Sequence, residues 1–366
     1  MIKDPWHYSR TKLAQQVLNM FITNMSSALV FFAPRRMGKT EFLQKDVTPL
    51  AKKSGWKVFY FSFLDVEKNA ALFFGGALES FAREIGTINN HSFRKNISKI
   101  SGEIIGVKAE LELRDPKRLH SDIKEIMDSL ASKEKVLLLL DEIQVLAQDI
   151  KNDSLIATLR TTLDIHKDNL KVIFTGSSQD GLRRMFSQTK APFFHFGQNL
   201  PFPELEQGFT DHLVEVFYSV TRRKLDADAL WEAFLKMQKI PQLARILVER
   251  LALHPSLHIE EAQKQLMAEI FNASAFVNIW EKCSTIEQLL LLEIANNSVC
   301  SLFGNDTRKR FAKKIGIQDL PVSSIQSTLR VLQRKKLIGR LLERSSYFID
   351  DLNFKNWLNA QEFVKS

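Results

Sequence analysis

Ala28-Leu29-Val30-Phe31-Phe32-Ala33-Pro34-Arg35-Arg36-Met37-Gly38-Lys39-Thr40 is the stretch on which the fold turns. Its first five residues are apolar and are followed closely by a proline, which suits a strand buried on both faces. After Gly38 the apolar residues recur at helical spacing from Lys39 to about Ser54, where Gly55 closes the helix. A strand, a tight loop and a helix in that order leave unpaired backbone N–H groups at the helix start, where the helix dipole adds positive potential. That makes an anion site. Lys39 adds a point charge and Thr40 a hydroxyl, the donor types that suit a polyphosphate carrying a divalent cation. The candidate phosphate-binding residues are therefore Ala33, Pro34, Arg35, Arg36, Met37, Gly38, Lys39, Thr40 and Glu41. The segment matches G-x-x-x-x-G-K-T except that alanine replaces the first glycine. If that position needs a positive φ, alanine is costly there, and the loop must adjust or bind more weakly.

A second motif lies about a hundred residues downstream. Val136-Leu137-Leu138-Leu139-Leu140-Asp141-Glu142 is an apolar strand ending in adjacent carboxylates. In a parallel sheet both emerge at the carboxyl edge, where ligands sit. Asp141 is then placed to share magnesium with Thr40, and Glu142 to polarise an attacking water. Either feature alone has a plain structural explanation, a chance GKT or a solvated strand end. Together, in this order, they favour the nucleotide reading. A third strand, Val172-Ile173-Phe174-Thr175, ends in Gly176-Ser177-Ser178, and a serine at its tip can reach the attacking water or the γ-phosphate. No Asn-Lys-x-Asp guanine motif occurs, so ATP is preferred to GTP, with Mg2+ as the accompanying ion.

Outward from these motifs, helices are expected over Leu13–Thr23, Leu72–Ile85, Leu119–Ala131 and Ser154–His166. Strands are expected over Lys57–Leu64, Lys135–Leu140 and Val172–Thr175, with a last strand from Phe193–Phe196 and Leu200–Phe202. Residues 97–114 alternate, and Val107–Leu113 reads as part of a hairpin or loop insertion. Strands alternating with helices over some two hundred residues imply a three-layer αβα fold on a parallel sheet. After Pro203 the strand signal stops, and Phe209–Val220, Ala227–Met237, Gln242–Leu253 and Ile259–Phe271 are amphipathic helices. From Thr285 the pattern becomes three helices followed by two short strands. The resulting division is a core over 1–205, a helical lid over 206–274 and a third domain over 275–366.

Bulk properties narrow the class. The composition is that of an ordinary globular protein, and there is no internal repeat or low-complexity tract. No apolar run approaches a bilayer span and the first residues carry no signal core, so a membrane location is not expected. Two cysteines, Cys283 and Cys300, fit no metal pattern and make a disulfide framework unlike this chain, so a cytoplasmic location is the expectation. The net charge of +9 makes an anionic partner plausible.

The three motifs in this order resemble the AAA+ superfamily of P-loop NTPases, in particular the archaeal-type ATPase branch related to STAND signalling ATPases and replication-initiator ATPases. The resemblance rests on Pro-Arg-Arg-Met-Gly-Lys-Thr at 34–40, Asp-Glu-Ile-Gln at 141–144 and Phe-Thr-Gly-Ser-Ser at 174–178. The ending Asp350-Asp351-Leu352-Asn353-Phe354-Lys355-Asn356-Trp357-Leu358 is similar to that of many members. It implies an ATPase in which Lys39, Thr40, Asp141 and Glu142 keep the roles given above and Ser177 or Ser178 is the first sensor. Where such proteins carry Gly-His-Pro before a lid helix, this chain has Lys239-Ile240-Pro241. The resemblance would bring Pro241 to the adenine and Arg245 to the γ-phosphate, while an ordinary helix start explains both equally. Trp6-His7-Tyr8-Ser9-Arg10 is similar to a segment that packs on the base, and Arg183 or Arg184 occupies the place of a finger reaching a neighbouring subunit. An aromatic cluster on the core edge and a solvated basic helix face are the alternatives.

The carboxyl-terminal pattern is that of a winged helix with Ser323–Lys336 in the recognition position. Arg330, Arg334, Lys335, Lys336 and Arg340 crowd its end, and residues 281–366 hold fourteen lysines and arginines against nine acidic residues. Those cations suit DNA phosphates, and Ser323, Ser324 or Gln326 suit base edges, so double-stranded DNA is a candidate partner for 322–340. Two functions are thus carried forward. One is an ATP-driven switch or motor, its ATPase slow or partner-stimulated, in which ATP draws core and lid together and which couples to DNA. The other is an ATP-controlled signalling or defence scaffold that assembles with a protein partner or with copies of itself, without DNA.

Overall fold

A computed structural model describes residues 4–64, 66, 69–88, 116–177, 179–186, 191–194, 196–273, 276–296, 302–340 and 347–362. The expected insertion around 97–114, with its strand at Val107–Leu113, lies outside these residues, as do Ser178 and Cys300. The chain divides into two compact units. A sheet unit holds Ser9–Ala33 and Lys39–Phe202, and a helical unit holds Met1–Tyr8, Pro34–Gly38 and Pro203–Ser366.

The sheet unit is built on five strands, β1 (Ala28–Phe32), β2 (Lys57–Ser62), β3 (Val136–Asp141), β4 (Leu170–Gly176) and β5 (Gln198–Pro201). Their order is β2-β3-β4-β1-β5 and every pairing is parallel. Every residue of β3 and β4 is buried, as expected of central strands covered on both faces. Alternate residues serve opposite layers. Val30, Phe59, Val136, Leu138, Leu140, Val172 and Phe174 share one core with the helices Ala70–Glu84, Pro116–Lys133, Asp153–Ile165 and Gln179–Phe186. On the opposite face Phe31 meets Phe42 edge-on at 5.8 Å, in the helical segment that follows the phosphate loop. The helix Thr11–Ile22 adds Ala14, Val17, Leu18 and Phe21, all buried. The result is the expected three-layer αβα arrangement on a parallel sheet.

Three local features differ from the sequence expectation. The helix from Lys39 to about Ser54 is interrupted: Lys39–Glu41 is α-helical, Phe42–Val47 forms a π turn and Thr48–Lys53 resumes the α-helix. Pro49 has no N–H to offer the Lys45 carbonyl, and a wider turn just before it accommodates that loss. The strand expected at Phe193–Phe196 is instead a turn, with Phe193 N–H donating to Met185 O at 2.8 Å and Phe196 N–H to Phe193 O at 2.9 Å. Its aromatic rings read like strand residues because they are buried against Phe174, at 5.2 and 6.5 Å. Gly197 then takes a φ of +87° with its Cα beside the Ala28 carbonyl, and β5 starts one residue later. The third difference is the short turn at Ile143–Gln148, for which no element is expected from the sequence.

In the helical unit, Gln207–Thr221, Ala227–Lys236, Pro241–Leu253 and Ile259–Ala273 follow one another, each within two or three residues of its expected bounds. Asp226 caps the second by accepting from the N–H groups of Asp228 and Ala229, both at 3.0 Å. The helices Phe276–Glu281, Thr285–Asn296, Asn305–Ile315 and Val322–Arg334 come next. They are followed by an antiparallel pair, β6 (Ile338–Arg340) and β7 (Tyr347–Ile349), and by the helix Leu352–Glu362. Leu290, Phe311, Ile325, Leu329, Ile338, Phe354 and Trp357 form a core of their own there. Gly339 sits opposite Phe348, whose ring occupies the space a Cβ would need, so the strand pairing depends on glycine at that position.

Candidate nucleotide site

The phosphate loop leaves β1 at Ala33 and re-enters a helix at Lys39. Its left-handed residues are Arg36, with φ +69°, and Gly38, with φ +86°; Ala33 is not one of them. The cost anticipated for alanine in place of glycine therefore does not arise at Ala33, whose N–H donates to Gly176 O at 3.4 Å. Strain sits instead at Arg36, a branched-free but non-glycine residue in a sparsely populated region, which is common where a loop is shaped for a ligand. Lys39 is only 5% exposed, donates to Ala33 O at 2.7 Å and lies 3.9 Å from Glu142 Oε1. Arg35 and Arg36 are exposed, Met37 is buried, and the Glu41 carboxylate pairs with Lys45 at 2.8 Å. What Glu41 can offer a phosphate is its backbone position near the helix start.

At the carboxyl edge of the sheet, Asp141 is 2% exposed and is surrounded by hydroxyl donors. Thr40 donates to Oδ2 at 2.6 Å, Tyr60 donates to the same oxygen at 3.1 Å, and Thr175 donates to Oδ1. Burial, and then the Asp141 charge beside it, pushes the Tyr60 phenol above its usual range, so Tyr60 stays a protonated donor.

Glu142 follows with a φ of +55°, which turns the chain out of β3 into the short turn at Ile143–Gln148. Its Oε2 accepts from the Ser177 hydroxyl at 2.6 Å, from the Ser177 N–H at 3.2 Å and from the Gln144 amide. Gln144 also reaches Ser177 Oγ at 3.4 Å, while its own Oε1 is buried and has no hydrogen-bond partner among the described residues. A Cβ on Gly176 would lie 2.5 Å from that Oε1 and 2.8 Å from Leu182 Cγ. Glycine at 176 is what lets the Gln144 amide come this close.

Within the sheet unit the structure brings together Lys39, Thr40, Asp141, Glu142 and Ser177. Four participants had no role assigned from the sequence: Tyr60, Gln144, Thr175 and Gly176. Gln144 carried a signal in Asp-Glu-Ile-Gln, but a residue three positions past a strand end points back to the site only if the chain doubles over, as the left-handed Glu142 makes it do. Arg183 and Arg184 lie on the helix Gln179–Phe186 that follows β4. In the helical unit, Pro241 opens the helix that also carries Arg245. There Lys239 pairs with Glu206 at 2.9 Å and Glu204 at 3.4 Å, over the Trp231 ring. Tyr8 rests on the helix Gln207–Thr221, its ring 5.9 Å from Phe209 and 5.7 Å from His212, and His212 Nε2 meets Pro5 O at 2.9 Å.

Among the described residues no group of three His, Cys, Asp or Glu side chains could cage a metal ion. A hydroxyl and a carboxylate in contact, beside a buried lysine, fit a magnesium ion that takes its remaining ligands from phosphates and water. No helix of the described residues is long and apolar enough to cross a membrane.

No protein-family model matches the chain, and no curated protein matches it by sequence. Solved structures do match its fold. The Walker-type ATPase PabY2304 of Pyrococcus abyssi superposes with a TM-score of 0.64 at 16% identity, covering 97% of this chain and 100% of that one. The ORC2 protein of Aeropyrum pernix matches in its ADP form with a TM-score of 0.56 at 15% identity, and in its ADPNP–ADP complexes with 0.54 at 14%. Each covers 96% of this chain and 93% of that one. With its five-stranded parallel sheet, the chain has the fold of that Walker-type ATPase and of the ORC2 protein.

Proposed function

We propose that this chain binds ATP with magnesium and hydrolyses it, slowly or on stimulation by a partner, as a molecular switch coupled to duplex DNA. The observation that carries the reading is the 2.6 Å contact between Thr40 and Asp141, residues 101 positions apart in sequence that meet at the sheet's carboxyl edge. Loop N–H groups and Lys39 hold the β- and γ-phosphates, and Thr40 and Asp141 hold the ion. Magnesium, when bound, neutralises phosphate charge and fixes the phosphate chain. Glu142 takes a proton from the attacking water as that oxygen bonds to the γ-phosphorus and the bond to the β–γ bridging oxygen breaks, leaving ADP and phosphate. Ser177 and Gln144 hold Glu142 in place for that transfer. The relatives' bound ADP and ADPNP are in keeping with this ligand class.

The proposed organisation is a core over 1–205, a helical lid over 206–274 and a winged helix over 275–366. On the helix Val322–Arg334, Ile325, Leu329 and Leu332 are buried while Ser323, Gln326, Arg330 and Arg334 are exposed, the division a DNA-reading helix needs. One observation favours the second reading, docking to a protein partner: Lys335 is held by Glu287 at 2.6 Å, and Arg340 lies 5.9 Å from the Tyr347 ring. Both are less available to phosphates than the sequence suggested.

The enzymatic half is tested by Glu142→Gln. Phosphate release should fall by about a hundredfold or more, because the amide keeps the shape and loses the base, while ATP–magnesium binding measured by calorimetry persists. Unchanged turnover would remove Glu142 from its assigned role.

A further inference from the structure

We propose that Tyr60 is a positioning residue for the magnesium ion, acting through Asp141; this rests on the assignment of Asp141 to that ion. Tyr60 lies on β2 opposite Leu139, and Ser62 lies opposite Asp141, so the phenol reaches two residues along the sheet to the carboxylate at its edge. The hydroxyl donates to Asp141 Oδ2 at 3.1 Å, the oxygen that also takes the Thr40 hydroxyl. The side chains of Gln44 and Ser62 lie beside the same phenol. Gln44 belongs to the π turn Phe42–Val47, one turn beyond Thr40 in the helix that starts at the phosphate loop. One carboxylate oxygen of β3 is therefore tied to β2 through Tyr60 and to the phosphate-loop helix through Thr40.

The physical consequence concerns geometry. Asp141 is buried, and its Oδ1 is already fixed by Thr175. Without a donor from β2, the direction of Oδ2 is set by Thr40 alone, and Thr40 is the group whose hydroxyl must turn to the ion when magnesium arrives. The phenol keeps the carboxylate aimed while Thr40 exchanges partners. A bond to a charged acceptor in a buried site is among the stronger ones, so its loss is measurable.

Tyr60→Phe removes the hydroxyl and keeps the ring. Binding of a fluorescent ATP analogue is measured with saturating magnesium and in EDTA, together with the thermal midpoint. The gain in affinity that magnesium confers should shrink by about fivefold to tenfold, while affinity in EDTA stays within about twofold, since Lys39 and the loop N–H groups are untouched. A purely structural role would lower the midpoint and leave the magnesium gain as in wild type, and that result overturns the proposal. Gln44→Ala, at an exposed position, decides the matter if the phenylalanine variant does not fold: a smaller loss of the magnesium gain supports the proposal and an unchanged gain overturns it. Asp141→Asn separates the two layers. If it leaves the magnesium gain intact, the assignment of Asp141 fails; if it removes the gain while Tyr60→Phe does not, only the role of Tyr60 fails.

Discussion

A single missing methyl group shapes the carboxyl end of β4. At Gly176 no Cβ competes with the Gln144 amide, which in turn holds Glu142 with Ser177. Gly176→Ala places a carbon 2.5 Å from Gln144 Oε1 and 2.8 Å from Leu182 Cγ, too close for either side chain to stay where it is. Overpacking of this kind costs about 1–3 kcal/mol, so urea unfolding should show a loss of that size and ATP turnover should fall with it. Wild-type stability and turnover would mean that Gln144 yields freely and does not position Glu142. Alanine at 33 is tolerated for the complementary reason. The loop takes its left-handed turns at Arg36 and Gly38, so position 33 needs no positive φ and a side chain fits there.

At the level of the element, the residue that ends the helix Val322–Arg334, Lys335, shows how an exposed charge becomes a structural one. Burial pushes the Glu287 carboxyl up, but the hydrogen bond from Lys335, with one from the Ser284 N–H, outweighs it and holds the group below the usual carboxylate range. A depressed carboxyl pKa contributes stability that is present above the unfolded value, about 4.3, and is lost as pH falls through the lower folded value. Lys335→Ala should therefore lower the thermal midpoint at pH 7 by about 2–4 °C, with the gap to wild type closing as pH drops below about 4. An unchanged midpoint at pH 7 would return Lys335 to the pool of cations available to a ligand. The π turn at Phe42–Val47 makes a related point. Apolar spacing alone predicts one continuous helix there, and only Pro49 hints at the interruption, within which Gln44 lies beside Tyr60.

For the whole molecule, the charge of +9 suits an anionic partner, and the exposed Arg330 and Arg334 are where a duplex would meet it. Each phosphate contact releases condensed counterions, so replacing both with alanine should weaken duplex binding and reduce the log–log salt slope by about two. Anisotropy at three salt concentrations reads this directly, and equal slopes for the two proteins would leave protein docking as the better reading. The alternation of strands and helices, the phosphate loop and the carboxylates after β3 are all legible in the order of residues. All of these are local patterns, carried by periodicity and by residue types whose chemistry is fixed. That order also places Ser177 at the tip of β4 without saying what that serine touches. It took the folded chain to reveal that Tyr60 and Thr175 converge on Asp141, that Gln144 folds back onto Glu142, that the Phe193–Phe196 aromatics fill a turn and that Lys335 is claimed by Glu287. Each of those depends on which strands lie side by side or on how a chain reverses after a single left-handed residue. Strand order and backbone reversal arise from packing between distant segments, which no local pattern records.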